Sequence, residues 1–389
     1  MKRVIDVLTL PPQQSSSSSN LADPTFSSAV IAWQKQHGRH ALPWQNTRDA
    51  YRIWLSEIML QQTQVAAVIP YYERFLVRFP DVVSLASAPT EDVMAHWSGL
   101  GYYTRARNLH RCAQQIVAEY GSVFPSDPEL LAGLPGIGRS TAAAISAFAY
   151  GTRAAILDGN VKRVFARVFG VDGYPGQKQI EDQLWLRAVA LLPNENIGAY
   201  TQGLMDLGAT ICTRSSPSCL ICPLSSRCVA LATHRVQELP VRKPKKNIPE
   251  KQVSMLVIVD QNQVLLVKRP DTGIWGGLLS LPEMGGFTNL NDNVPDAAIT
   301  NTQLTQVISP FGTHASCERL PTFSHGFTHF KLHISPYQVS LARRLDISQQ
   351  TSYVWMDADK LVDAPLPAPV KKLLLAVCGA ADIHEVTSV

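Results

Sequence analysis

The segment Leu134-Pro135-Gly136-Ile137-Gly138-Arg139-Ser140-Thr141 stands between two helical stretches, and twenty positions beyond Gly138 lies Asp158, within Ile156-Leu157-Asp158-Gly159-Asn160-Val161-Lys162-Arg163. Two glycines without Cβ atoms permit a tight turn whose backbone N–H groups approach an anion closely, and the helix opening near Ser140 adds its positive end. A lone Gly-x-Gly is more often a helix C-cap, and an Asp before a helix more often an N-cap. The pairing of hairpin and trailing aspartate is the more specific signal.

Outward from this pair, the chain reads as helical from Phe26 to about Ala232. Apolar residues recur at three- and four-residue spacing over Tyr51 to Ala67, Val93 to Trp97, Arg105 to Tyr120, Ser140 to Tyr150 and Val161 to Phe169. Residues 1–25, with Pro11-Pro12 and the serines Ser15 to Ser19, are expected to be a tail with nothing to bury. Residues 233–250, in which Arg242, Lys243, Lys245 and Lys246 alternate with Pro244 and Pro249, read as an extended, solvated linker. From 251 to 378 the texture changes to short β-rich runs at Val253 to Val259, Val264 to Val267, Phe330 to Val339 and Tyr353 to Met356. The expected fold is multidomain: an all-α domain over 26–232, then a smaller α+β domain, then a tail over 379–389.

Length and composition agree. The 389 residues suit two or three domains, and 46% hydrophobic with 17% charged residues describes a globular chain. A formal charge of +4 permits a nucleic-acid partner without resembling a protein that only coats phosphate. No apolar stretch reaches the ~18 residues of a membrane span and no signal layout opens the chain, so a cytoplasmic location without membrane association is expected.

Seven cysteines divide unevenly: Cys212, Cys219, Cys222 and Cys228 form C-x6-C-x2-C-x5-C, while Cys112, Cys317 and Cys378 are scattered. Loops this short let four thiolates surround one metal centre. Zinc ribbons usually bring two C-x2-C pairs, and this array has one, so a single [4Fe–4S] cluster in the 212–228 loop is favoured over zinc.

These motifs, in this order, resemble the MutY family of adenine DNA glycosylases in the helix–hairpin–helix superfamily. The match is carried by Leu42-Pro43-Trp44, by Trp54-Leu55-Ser56-Glu57-Ile58-Met59-Leu60-Gln61-Gln62-Thr63-Gln64-Val65, by Gly99-Leu100-Gly101-Tyr102-Tyr103-Thr104-Arg105-Ala106-Arg107-Asn108-Leu109, by the hairpin, the Asp158 segment and the cysteines. On the residues alone, Glu57 has no lysine or arginine at i±3 or i±4, so it is a candidate for a raised pKa and general acid work. The resemblance implies that Glu57 protonates N7 of an extruded adenine. It implies that Asp158 stays ionised to stabilise the oxocarbenium-like sugar or to trap it, and that Asn160 orients both. A lysine stands at the position of Ser140 in the lyase branch, so serine implies a monofunctional enzyme that leaves an abasic site.

By the same resemblance, Gly136 and Gly138 grip DNA, Gln62 and Tyr102 wedge the duplex open, and Thr63 and Leu100 meet the partner base. Trp44, Val65 and Asp206 would line the adenine pocket, with Asp206 where the family often has glutamate. Arg105, Arg107, Lys162 and Arg163 are helix-borne cations expected to meet phosphates. The C-terminal region resembles a Nudix fold through Gly276-Gly277-Leu278-Leu279-Ser280-Leu281-Pro282-Glu283, but no R-E-x-x-E-E helix follows to hold magnesium. It is therefore read as a recognition module in which Phe327-Thr328-His329, preferred over Phe323-Ser324-His325, inspects 8-oxoguanine. The implied partner is duplex DNA holding adenine opposite 8-oxoguanine or guanine. The chain is expected to act as a nucleoid-associated monomer, and any repair or replication protein partner is left unnamed. The competing readings are a bifunctional oxidised-base glycosylase/lyase, a lesion-binding protein without activity, and a nucleotide pyrophosphatase.

Overall fold

The computed structural model describes residues 22–244, 247–289 and 300–379. Most of the expected N-terminal tail, Lys245, Lys246 and positions 380–389 lie outside them. Two compact units cut across chain order. One runs up to Ala50 and adds Ser126–Ala132 and Gly138–Lys243; the other comprises Tyr51–Pro125, Gly133–Ile137 and the chain from Pro244 onward.

The first unit is helical: α1 (Pro24–His37), α7 (Pro128–Ala132), α8 (Arg139–Tyr150), α9 (Gly159–Val168), α10 (Lys178–Ala190), α11 (Ile197–Asp206) and α12 (Val229–Ala232), numbered in chain order. The expected tail ends earlier than residue 25, because Asp23 caps α1 by accepting from the N–H groups of Thr25 and Phe26 and Pro24 suits the first helical position. Apolar positions on α1, α8, α9 and α11 close a core around Phe26, Val30, Phe165, Leu204 and Leu207. A π-helical turn, Leu207–Ile211, carries the chain from α11 to the first cysteine.

The second unit joins α2 (Ala50–Met59), α3 (Val65–Arg78), α4 (Val82–Ser87), α5 (Thr90–Trp97) and α6 (Thr104–Tyr120) to an eight-stranded sheet. Its strands are β1 (Glu250–Asp260), β2 (Gln263–Lys268), β3 (Leu279–Ser280), β4 (Glu283–Asn289), β5 (Gly312–Arg319), β6 (Phe323–Gly326), β7 (Lys331–Arg344) and β8 (Tyr353–Asp357). The central pair β1 and β7 is parallel, in register from Glu250 opposite Lys331 to Val259 opposite Ser340. Helices α13 (Asn301–Ile308) and α14 (Ala368–Gly379) complete the α+β part, and Leu304 and Ile308 of α13 pack on Leu256, Ile258 and Val339.

One expected element divides. The spacing predicts a single helix from Tyr51 to Ala67, but α2 ends at Met59 and α3 begins at Val65, with Gln62 in the left-handed region at φ 57°. Apolar periodicity continues through the break because the turn faces the same core. The carbonyls that would continue the helix are instead taken by an arginine from α6, described below.

In the first unit Phe165 is fully buried, with ring centroids 5.9 Å from Phe26 and 5.7 Å from Phe169. Phe165→Ala should cost about 3–5 kcal/mol, read as a lowered denaturant midpoint of helical circular dichroism.

Candidate functional site

Glu57 projects from the last turns of α2 and is half-buried between the buried Ser56 and Ile58. Two irregular segments follow in the same unit. Gln62 is exposed on one; Tyr102, 48% exposed and at φ 51°, is exposed on the other. Leu100 is buried, Val65 half-buried in the first turn of α3. The Thr63 hydroxyl accepts from Arg105 at 3.1 Å.

Arg105, expected to meet phosphate, is directed into the protein. It is 8% exposed, and its terminal nitrogens donate to carbonyls of Ile58, Met59, Gln61, Leu100 and Gly101. Burial pulls its guanidinium down to about 10, which leaves it charged at neutral pH. Arg107 is likewise engaged, donating to the Gly276 carbonyl and, at 3.1 Å, to Thr104 Oγ1. Both arginines are oriented by non-local backbone that periodicity cannot register.

One cleft of about 1300 Å³ in this unit brings Tyr102, Tyr103 and Arg107 together with Trp275 and the Phe327-Thr328-His329 loop. That loop is the tip between β6 and β7, closed by the Phe327 N–H on the Phe330 carbonyl at 2.8 Å. Phe327 stacks on Phe330 at 4.4 Å and 15°, leaving Thr328 and His329 exposed. Of the alternative triplet, Ser324 lies in β6 with its hydroxyl 3.0 Å from His333 Nδ1, whereas His325 also lines the cleft.

The hairpin turns at Gly136, φ 78°, where a Cβ would meet Asn108 Cβ at 2.8 Å. Gly138 takes the N-cap position of α8 without any side-chain cap for the first-turn N–H groups. In the first unit the Ser140 hydroxyl accepts the Leu157 N–H at 3.0 Å, tying the start of α8 to the residue before Asp158. Asp158 is the N-cap of α9: its Oδ1 accepts from Val161 N at 2.7 Å, and Asn160 Nδ2 lies 3.4 Å from Oδ2. Burial pushes the Asp158 carboxyl up from its ordinary range, opposed by N–H donors of Val161 and Asn160, the charge of Arg163 and the Asn160 amide. Trp44, also in this unit, is buried.

Three of the expected site residues in the first unit are engaged within the protein. The Arg163 guanidinium donates to Cys212 O, Gly208 O and Asn160 Oδ1 at 2.8, 2.6 and 2.8 Å. Lys162 is ion-paired with Glu181 at 2.7 Å. Asp206, expected in the adenine pocket, is fully buried: Oδ1 takes Arg39 Nε at 2.7 Å and Gln202 Nε2 at 2.9 Å, and Oδ2 takes Arg39 N at 2.9 Å.

Cys212, Cys219, Cys222 and Cys228 line one recess with Val164, Leu207, Pro217 and Leu224. Among the described residues no three His, Cys, Asp or Glu side chains are grouped to hold a metal ion as they stand. Burial raises the Cys222 thiol to about 11, with the other three cysteines adding to it, and raises Cys228 as well. Arg167, 2% exposed, secures the loop by donating to Thr213 O at 2.7 Å, Arg214 O at 3.2 Å and Cys212 Sγ at 3.3 Å. The motif reading missed this arginine. Its signal was available: Arg163 and Arg167, four apart, share a face of the helix that follows Asp158.

Residues 55–188 match the HhH-GPD superfamily base excision DNA repair proteins, and residues 254–376 match the NUDIX domain. The chain is 37% identical over 350 residues to the adenine DNA glycosylase of Buchnera aphidicola subsp. Acyrthosiphon pisum, covering 90% of this chain and 96% of that one. The chain belongs to the adenine DNA glycosylase family. The Mus musculus and Homo sapiens members are 32% and 30% identical, over 91% of this chain and 78% and 74% of theirs. Among solved structures, a thermostable thymine-DNA glycosylase is matched over 56% of this chain and all of its own, at 29% identity and TM-score 0.51. As a member of this family the chain is a base excision repair glycosylase with an all-α helix–hairpin–helix part and a C-terminal Nudix-like part. No described helix is long and apolar enough to cross a membrane.

The placement of Asn160 beside Asp158 depends on a glycine. A Cβ at Gly208 would lie 2.5 Å from Asn160 Cβ and 3.1 Å from its Cα. Gly208→Ala should displace Asn160 from beside Asp158 and slow single-turnover excision by about tenfold or more while duplex binding persists.

Proposed function

We propose that this enzyme removes adenine paired with 8-oxoguanine, and less readily with guanine, by hydrolysing the N-glycosidic bond and leaving an abasic site in duplex DNA. The carrying observation is the cleft that joins the exposed Tyr102 segment to the exposed tip of the Phe327-Thr328-His329 loop. A wedge and a base-reading loop on one wall suit a partner base inspected while adenine is turned out.

In this reading Glu57 donates a proton to N7 and so improves the leaving group, and Asp158 balances the positive charge that grows on the sugar. The positive end of α9 and the Val161 N–H support the ionised form of Asp158 against its burial. Asn160 orients it. Water is the final nucleophile: Ser140 uses its hydroxyl on Leu157, and Lys162, a nearby amine, is held by Glu181. Trp44 and Val65 remain assigned to the adenine pocket, Gln62 and Tyr102 to the wedge, Thr63 and Leu100 to the partner base, and Gly136 and Gly138 to the phosphate grip.

The four cysteines are assigned to one [4Fe–4S] cluster. All four line one recess, and a single C-x2-C pair is not the two-pair arrangement usual for a zinc ribbon. The cluster would brace the 212–228 loop, and the residues on hand supply the chemistry without it. A monomer working on cytoplasmic, nucleoid DNA fits this role.

A duplex with adenine opposite 8-oxoguanine, treated with enzyme and then alkali, should break at the adenine; an intact strand rejects the reading, and a strong borohydride-trapped adduct would point to a lyase. Glu57→Gln should bind the duplex and lose excision. Because the ionised form of Asp158 is the working one and its pKa is raised, the rate should fall as pH drops through that raised value, above the ordinary ~3.9. Purified protein should contain iron, and Cys222→Ser should lower its iron content; stoichiometric zinc without iron would overturn the cluster.

A further inference from the structure

Arg105, near the N-terminus of α6, stands between two segments that no regular hydrogen-bond ladder fixes. Its Nη1 donates to Ile58 O at 3.0 Å, Met59 O at 2.7 Å and Gln61 O at 2.7 Å. Its Nη2 donates to Thr63 Oγ1 at 3.1 Å, Leu100 O at 3.3 Å and Gly101 O at 3.1 Å. One nitrogen thus holds the end of the helix that bears Glu57 and the turn after it, while the other bridges that turn to the segment bearing Tyr102. The guanidinium carbon also sits 5.3 Å from the ring centroids of both Trp97 and Tyr102.

These segments carry strain. Gln62 and Tyr102 adopt φ of 57° and 51°, a left-handed conformation that a non-glycine residue keeps only where its surroundings impose it. Both side chains are nevertheless exposed, so their own burial does not hold them. A forked, planar cation with several donors can fix two backbones at once, which a single ammonium cannot.

We propose that Arg105 is a positioning residue that holds the Gln62 and Tyr102 segments in register with the Glu57 helix, so that opening of the base pair and presentation of adenine to the acid occur together. The inference rests on the adenine-excision reading above and concerns which residue makes extrusion productive.

The test uses full-length protein and a duplex with adenine opposite 8-oxoguanine and 2-aminopurine beside the adenine, whose fluorescence rises on unstacking. Arg105→Lys keeps the charge and loses the fork. It should bind the duplex within about threefold of wild type, since affinity comes mainly from phosphate contacts. It should lose most of the fluorescence rise and slow single-turnover excision by about a hundredfold, the scale of a misplaced reacting group. On a duplex with adenine opposite an abasic site, where no pair must be opened, most of that loss should disappear. An unchanged rise and rate would overturn the proposal, as would an equal loss on both duplexes, which would mark a general effect on folding or chemistry. Should Arg105→Lys not accumulate as folded protein, Thr63→Val, which deletes one acceptor and leaves the carbonyls, has to diminish the rise; an undiminished rise overturns the proposal. A wild-type protein that excises no adenine would overturn the functional reading itself, an outcome separate from any difference between variants.

Discussion

A buried guanidinium is the interaction on which the irregular parts of this molecule depend. Placing a permanent cation out of water is costly unless its donors are engaged, and leaving one partner missing costs several kcal/mol, on the order of 3–5. Arg105 in one unit, through its two terminal nitrogens, and Arg167 in the other answer this demand mainly with backbone carbonyls, not carboxylates. Carbonyls that accept in this way are withdrawn from helices. The result is a turn at Leu60–Gln64 in one unit and a secured cysteine loop in the other, each fixed without regular secondary structure.

The same economy governs the carboxylates. Asp206 and Asp158 are both shielded residues of the first unit, yet they differ in what faces them. Asp206 meets Arg39 and Gln202 with both oxygens and is an internal strut. Asp158 has the N–H groups of Val161 and Asn160 and a distant amide, with its charge supported by a helix end and by the nearby charge of Arg163. A carboxylate so held remains able to answer a positive charge that develops during a reaction. Which acid is structural and which is available follows from these partners, since both are Asp in helix-rich surroundings.

The C-terminal part is a Nudix-like fold whose central strands position an exposed loop. Its sheet is ordered by a long parallel pair, β1 with β7, and the β6–β7 hairpin extends from that pair to place Phe327, Thr328 and His329 at an exposed tip. Phe327 anchors the tip on Phe330, and Trp275 lies beside it at 5.7 Å. Arg107, Ser98 and Tyr103 fix the helical part to this one through Gly276 O and Leu366 O, so the cleft has walls before any DNA is bound. Pre-formed walls lower the ordering cost of binding.

The amino-acid sequence by itself determined the motif chemistry. The Gly136/Gly138 hairpin with Asp158, the Glu57 segment, serine at position 140 and the four clustered cysteines are encoded by residue type and short spacing, as is the change from helical to β-rich texture. Those signals are local, so chain order preserves them. Only the tertiary structure decided the fate of Arg105, Arg107, Arg163 and Asp206, the break in the helix expected over Tyr51 to Ala67, and the pairing of β1 with a strand some eighty residues later. A charge on a helix reads the same whether it faces phosphate, a carbonyl or another charge. Its partner comes from elsewhere in the chain, and the low dielectric of the interior makes that partner, not the residue's own identity, set its role.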